Sequence, residues 1–590
     1  MALGADGDGK RPIVAVSRTG PVQLMGRPVR LSENQLFAVL AVVVGLGGGL
    51  SAVVFHEMID FLSHDVFGRI DEALGGWGRF AVVPGLLVGA LLVGPMVTRW
   101  ASEAKGHGVP EVIEAVAVRG GRIRARVPVV KAIASAITIS SGGSAGREGP
   151  IVQIGSAIGS IITRPFKMSD RRRRTFVAAG AAAGIAAIFN APLAGVFFAL
   201  EVILRSFTAR GFSTVVISAV TANAVWRVLV SDDPVLTSEV YALEEPVELV
   251  FYGLLGISAA IVALLFVKVL YIIEDWFEES PIRPELRPVV GALAVGAVGI
   301  ASFDLLGAGL AGIDKALAGQ FATSTLLLLV LGKILATSFT LGSGGSGGVF
   351  SPSLFTGALL GALFGDVITE LFPGSSAPAG AYAVVGMAAV FAAAAQAPMS
   401  SIFIVFEMTS DFGLIMPLML ACAAATVVYT AVNPNSIYME KIRRRHVTID
   451  APPDPSDLAS IPLSHAAEAK YLSMFRTRTT NDAVRLMKES REEFALIVAP
   501  DRSYKGVVWL DDLEELDPDQ PKQLIEVADD EHPVGYPDKS LADGMALFES
   551  GVTMVPIVDW NQRLLGVATA QSVIRAYEAA KGGRLAGEQD

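Results

Sequence analysis

The chain has 590 residues but only one cysteine and six histidines, and charged residues make up just 18 % of it. With Cys422 alone, neither a disulfide framework nor a cysteine metal site can form within one chain. The histidines show no metal-ligand spacing, and there is no HExxH motif. The Gly-Lys of LGKILATS (331–338) lacks the upstream glycine and following Ser/Thr of a phosphate-binding loop. No metal, cofactor or catalytic apparatus is legible, so the expectation is a protein that is not an enzyme and requires no cofactor. Residues 1–34 are polar or basic and contain no signal-peptide core, so the first apolar window reads as a spanning helix kept in the mature chain.

What fills the space left by charge is apolar. The chain is 52 % hydrophobic and contains 60 glycines, and its mean hydropathy is +0.52. Windows near 36–55, 80–98, 175–200, 248–272, 288–312, 323–341, 379–406 and 413–432 are long enough to cross a bilayer. The runs at 127–139 and 151–162 are too short to span alone and are followed or interrupted by glycine. These features predict a polytopic membrane protein. Basic clusters at Arg171–Arg174 and at Lys441, Arg443, Arg444 and Arg445 are predicted to face the cytoplasm, by the positive-inside rule. With them go both termini of a protein in the plasma (inner) membrane.

Composition changes after KIRRRH. APPDPSDLASIP (451–462) reads as a linker, and the formal net charge of −11 arises largely beyond residue 450. That charge describes an acidic soluble part and argues against a nucleic-acid partner. Within 470–580, two strand-like runs, FALIVAP (494–500) and MVPIVDW (554–560), each precede a second short strand, GVVWL (506–510) and GVATA (566–570). The expected organisation is therefore 1–34 N-terminal segment, 35–445 membrane domain, 446–469 linker, 470–580 α/β domain and 581–590 tail.

The membrane part contains a repeat. KAIASAITISSGGSAGREGPIVQIGSAIG (131–159) aligns on KILATSFTLGSGGSGGVFSPSLFTGALLG (333–361) at an offset of 202. Identities include Lys131/Lys333, Thr138/Thr340, Ser144/Ser346 and Gly155/Gly357. A second block, GAAAGIAAIFNAPLAGVFFALE (180–201), aligns on GMAAVFAAAAQAPMSSIFIVFE (386–407), matching Pro192 with Pro398 and Glu201 with Glu407. Duplicated, glycine-interrupted apolar segments point to a transport site at the repeat interface. Non-helical backbone is tolerated at membrane depth only if it is buried in protein or lines a wet cavity. A helix that starts there presents unpaired amides and a partial positive charge. Glycines let such amides approach a ligand, and prolines suit the first turn. Pro150 and Pro352 thus mark two half-helix starts suited to an anion. A cation transporter would need pore-lining carboxylates, and the repeat supplies only Glu201 and Glu407 besides Glu148.

The motifs GHGVP (106–110), GREGP (146–150), GSGGVFSP (345–352) and the tyrosine of NPNSIY (433–438), in this order, resemble the CLC family of chloride channels and chloride/proton antiporters. The resemblance covers residues 36–440. It implies an all-α membrane fold, an inverted repeat of about eighteen helices, assembled as a homodimer with one pore per subunit. The duplicated tail resembles a tandem pair of CBS modules, common in that family. Its nucleotide-binding ending is incomplete in both copies: Gly506 and Asp512 flank Trp509 in one, and Gly566 and Thr569 precede Ser572 in the other. Asp512 and Thr569 are what remains of such a site for an adenine nucleotide.

Carried onto this chain, the resemblance implies anion binding by backbone amides at Val349 and Phe350. Amides around Arg147 to Gly149 would contribute once Glu148 moves aside, and Tyr438 would add its hydroxyl. Glu148 would be the gate, a tethered anion displaced by protonation or by chloride. The repeat agrees that it is an addition, since Arg147-Glu148-Gly149 faces Val349-Phe350-Ser351 in the second copy. A buried Arg147–Glu148 ion pair is the competing reading, though an intramembrane ionisable residue is functional by default. Two positions depart from the family pattern. Val202 stands where exchangers usually carry an inner glutamate, which predicts a passive chloride channel. A chloride/proton antiporter and a fluoride or other anion-specific exchanger are the alternatives. His107 stands where serine is usual. Its ring either donates to the anion and brings pH sensitivity, or points away and leaves the backbone to shape the site.

Overall fold

In the computed structural model the chain forms two compact units, Met1–Ile449 and Asp450–Asp590. The structure describes residues 33–445 apart from 70–74, 167, 169, 208, 237–240, 242–244 and 374–376. It also describes 22–24, 27–29, 447, and 458–580 apart from 470, 491, 515, 519, 550, 551, 553, 570, 571 and 578. The proposed N-terminal segment, the first part of the linker and the tail at 581–590 lie largely or wholly outside the described residues.

The first unit is helical and its repeat is visible element by element. The first set comprises α1 (Glu33–Phe61), α2 (Val82–Trp100), α3 (Val109–Ala117), α4 (Arg126–Ser140), α5 (Glu148–Ile162), α6 (Asp170–Ile188), α7 (Pro192–Phe198) and α8 (Ala209–Leu229). The second set follows as α9 (Glu248–Glu279), α10 (Arg287–Ala301), α11 (Leu310–Leu317), α12 (Thr323–Gly342), α13 (Phe350–Leu371), α14 (Ala379–Ala395), α15 (Pro398–Thr409) and α16 (Ile415–Val432). A last helix, α17 (Ile437–Arg444), closes the unit. Packing repeats as well. α5 lies on α6 as α13 lies on α14, α1 lies on α8 as α9 lies on α16, and α7 meets α15.

Among the described residues, seven helical stretches are long and apolar enough to cross a membrane. Two windows predicted as single spans are each two helices. The run at 175–200 breaks between α6 and α7, where Asn190 has φ of 50°, and 379–406 breaks between α14 and α15, where Gln396 has φ of 52°. Hydropathy passes smoothly through both breaks. What stops each helix is a proline two residues on, Pro192 and Pro398, which cannot donate a helix hydrogen bond. The window at 288–312 likewise divides into α10 and the start of α11.

Small residues set the helix crossings. A Cβ at Gly155 would lie 2.1 Å from the Gly180 carbonyl oxygen, and one at Gly357 would lie 2.3 Å from that of Gly386. The backbones of α5 and α6, and of α13 and α14, therefore touch. Both basic clusters contact α3 or the turn after it. Arg173 and Arg174 donate to the carbonyls of Gly120 and Ala117 at 3.3 Å each, and Arg445 pairs with Glu111 and Glu114. Cations near a helix C-terminus meet its unpaired carbonyls and the negative end of its dipole. Cys422 is fully buried in α16.

The second unit carries two antiparallel hairpins sixty positions apart. In one, β3 (Ser473–Phe475), β4 (Phe494–Val498) and β5 (Tyr504–Trp509) form a sheet; in the other, β6 (Met554–Val558) pairs with β7 (Leu564–Thr569). The registers match, Phe494 with Trp509 and Met554 with Thr569, and each hairpin has an irregularity at the same place. Leu458, Ile461, Leu463 and Ala466 fall within the stretch read as linker. They are instead packed in the core of the second hairpin's half, against Leu541 and Ile557.

The crossing geometry separates two glycine substitutions. Gly357→Ala is expected to destabilise the protein by about 1–3 kcal/mol, because the new methyl meets backbone. Gly253→Ala, on a helix face with nothing within 4 Å of the new Cβ, should stabilise it by about 0.5–1 kcal/mol. Thermal unfolding of the two variants in detergent micelles checks the opposite signs.

Candidate functional site

Three loops preceding helix starts meet inside the first unit, and backbone hydrogen bonds join them. Gly146 and Gly348 exchange N–H···O bonds of 2.8 and 2.6 Å, while the Gly106 N–H donates to Gly345 at 3.1 Å. Side chains repeat the exchange across the two halves. The Ser144 amide donates to Thr340 Oγ1 at 3.0 Å, and the Ser346 amide donates to Thr138 Oγ1 at 3.3 Å. Ser144 and Ser346 are fully buried, so each such bond offsets the cost of placing irregular backbone at this depth.

Onto this frame α5 and α13 deliver their first turns. Glu148 is the first residue of α5, and its side chain crosses to the other repeat. Oε1 accepts from the Phe350 amide at 2.6 Å and the Ser351 amide at 3.2 Å. Oε2 accepts from Ser351 Oγ at 2.9 Å. The residue is only 2 % exposed. Gly146 and Gly348 make the room: a Cβ on either would stand 2.1 Å from a carboxylate oxygen. A buried carboxylate thus occupies an anion site built of helix N-terminal donors. The Val349 amide makes no bond to it; the donors are those of Phe350 and Ser351. Sequence reasoning missed Ser351, although its place opposite Gly149 in the repeat put it on the first turn, where amides are free.

Arg147 does not face its neighbour. Its guanidinium stands 3.5 Å from His56 Nδ1 on α1, and its Nε has no hydrogen-bond partner. On the other side of α5, the His107 carbonyl oxygen would lie 2.0 Å from a Cβ at Gly149, which explains the glycine there. The His107 ring is buried, its centroid 6.0 Å from that of Tyr438, which begins α17 and is 1 % exposed. Tyr271 of α9 reaches His107 Nε2 at 3.5 Å and donates to the Ile437 carbonyl. His107, Glu148, Phe350 and Tyr438 thus belong to one neighbourhood.

This geometry has counterparts among known proteins. The family profile described as voltage gated chloride channel matches residues 89–430. The chain belongs to that family, the CLC family. A protein of Ralstonia nicotianae named "Putative chloride channel protein ClcB-like" is 33 % identical over 71 % of this chain and 99 % of its own length. The H(+)/Cl(-) exchange transporter ClcA of Vibrio parahaemolyticus is 33 % identical over 69 % of this chain and 89 % of its own. Among solved structures, a slow cyanobacterial Cl-/H+ antiporter superposes with a TM-score of 0.64 at 26 % identity, covering 70 % of this chain and 99 % of that one. The protein is a multi-span membrane protein of the CLC fold, from a family that moves chloride.

Within the CLC frame, the two matched glutamates have a reciprocal arrangement. Glu201 accepts from the amides of Met399 and Ser400 at 3.2 and 2.8 Å, and from Ser400 Oγ at 2.6 Å. Glu407 accepts from the amides of Leu193 and Ala194 at 3.0 and 2.8 Å. Each carboxylate caps the helix start of the opposite repeat. Val202 follows Glu201 on a π-helical turn (Ala199–Leu204) and is 6 % exposed. Two buried lysines not singled out as site residues also match: Lys131 Nζ donates to Ala104 and Gly106, and Lys333 Nζ donates to Leu305 and Gly307. In the second unit, Thr569 and Ser572 hydrogen-bond each other's amides at 2.9 and 3.1 Å, while Asp512 is exposed on the short helix Leu510–Glu514. Thr569 Oγ1 is therefore already an acceptor within its own turn.

Ser351→Ala removes the hydroxyl bond to Glu148 and leaves both amides. Losing about 1 kcal/mol of hold should let chloride displace the carboxylate at about fivefold lower concentration. Calorimetric titration of the purified protein with chloride reads that shift.

Proposed function

We propose that the protein exchanges chloride for protons across the inner membrane as a homodimer with one pore per subunit, with Glu148 as the group that alternates between the two substrates. The supporting observation is the Glu148 carboxylate on the Phe350 and Ser351 donors. A tethered anion and a free anion cannot share those donors. Chloride arriving there displaces the carboxylate, and a displaced carboxylate in a low-dielectric passage takes a proton. Occupancy by one substrate thereby excludes the other, which is the condition for coupled exchange.

The passive channel expected from Val202 rested on one missing carboxylate and has less support. The ClcA relatives are named exchange transporters, and the cyanobacterial neighbour is titled an antiporter. Orientation with both termini in the cytoplasm is supported by the two basic clusters, which both contact α3 or the turn after it. We assign the second unit a CBS-like structural role, since neither hairpin completes a nucleotide-binding ending.

Reconstituted liposomes with a chloride gradient, monitored for chloride and pH together, test the exchange. Wild type is expected to move protons uphill at a fixed ratio to chloride, and Glu148→Gln to keep chloride flux while losing proton movement. Chloride flux with no accompanying proton flux in wild type would establish the passive channel instead.

A further inference from the structure

We propose that the groove between α1 and α4 binds one anionic phospholipid of the cytoplasmic leaflet, with an acyl chain along the groove and the phosphate on Arg126. The site is separate from the Glu148 donors and is the same whether the protein is an exchanger or a channel. Its assignment to the cytoplasmic leaflet uses the orientation proposed above.

The groove encloses about 420 Å³. Leu50 and Val54 of α1 and Val129 and Ile133 of α4 are exposed along its two sides, and the buried Ile154 of α5 lies beneath. Among the described residues Ser51 is the one polar side chain on the wall, and its hydroxyl donates to the Gly48 carbonyl at 2.8 Å. The wall therefore offers water no free donor. Because α1 is long and apolar enough to span the membrane, this face meets hydrocarbon. From Gly47 to Met58, the groove's reach along α1, the helix rises about 16 Å. One leaflet's hydrocarbon is about 15 Å deep. Beyond Met58 the Ser140 hydroxyl donates to the Ile59 carbonyl at 3.0 Å and ties α4 to α1, closing the far end. A concave apolar slot of one leaflet's depth fits an acyl chain, which gains more dispersion contact there than against a flat helix face.

Charge sets which lipid. Arg126 begins α4, and its spacing to Val129 and Ile133 puts all three on one helix face. Helical side chains lean toward the N-terminus, so its guanidinium reaches out at the open mouth of the slot while its stem lies along apolar surface. Arg126 is exposed and makes no hydrogen bond or ion pair among the described residues. Its neighbours Arg122 and Arg124 are instead paired with Asp170 and Glu103. At the opposite, closed end stands the exposed Glu57, next to Met58. An anionic head is therefore drawn to the Arg126 end and repelled from the other. Arg173 and Arg174 bond the Gly120 and Ala117 carbonyls shortly before Arg126, so the mouth lies on the basic, cytoplasmic side, where anionic lipid heads attract arginine.

Native mass spectrometry of the full chain in detergent, with phosphatidylglycerol and phosphatidylcholine added in equal amounts, counts the lipids retained. One phosphatidylglycerol per subunit is expected to outlast phosphatidylcholine. Arg126→Gln should weaken that retention about fivefold, and Arg126→Lys should largely keep it. Arg69→Gln, which removes an exposed charge elsewhere, should leave it unchanged. Ala132→Phe fills the slot and should abolish retention with Arg126 intact; Ser51→Leu fills it from α1 and replaces that variant if it fails to fold. Equal retention of both lipids by wild type, or wild-type retention in Arg126→Gln or in a folded slot-filling variant, overturns the proposal. So does a disulfide between two Val129→Cys copies in native membranes, which would seat a second copy of the chain on this face.

Discussion

Everything in the first unit depends on bare helix N-termini inside a low-dielectric interior, where unpaired amides cost free energy and water is scarce. The fold meets that cost by trading carboxylates between repeats. Glu201 caps α15, Glu407 caps α7, and Glu148 reaches α13. By symmetry the residue that would cap α5 is Phe350, which has no carboxylate. Of these four helix starts, two are held by half-buried reciprocal glutamates, one by Glu148, and one has no counterpart. The two repeats thus differ in one kind of bond, at the starts of α5 and α13.

The repeat is a scaffold, and function lies in its departures. The serine–threonine exchange, the lysine clasps and the glycine crossings recur on both sides because each serves packing or backbone satisfaction. Glu148 against Phe350 and His107 against Ala308 do not recur. Both belong to the first copy, and both are nearly fully buried.

Much of this was legible before any coordinates. The two matched blocks gave the repeat, and Pro150 and Pro352 marked helix starts that the structure places at α5 and α13. The breaks at Asn190 and Gln396 were hidden because hydropathy averages over a turn that a single left-handed residue makes. Ser351 was missed because a hydroxyl in an apolar helix start resembles a packing residue until a carboxylate is found against it. Leu458–Ala466 read as linker because prolines and serines dominate around them, while four apolar residues suffice to join a core.

Val202 bears on the choice between channel and exchanger. Its valine implies a channel only if that one family position is the whole inner proton path. Coupling requires only that proton and anion occupancy constrain each other, and any titratable group in contact with the anion path meets that requirement. Val202 lies beside Glu201, whose oxygens accept from the Met399 and Ser400 amides. The valine at position 202 thus removes one titratable group and leaves Glu148, seated on the Phe350 and Ser351 donors, as another.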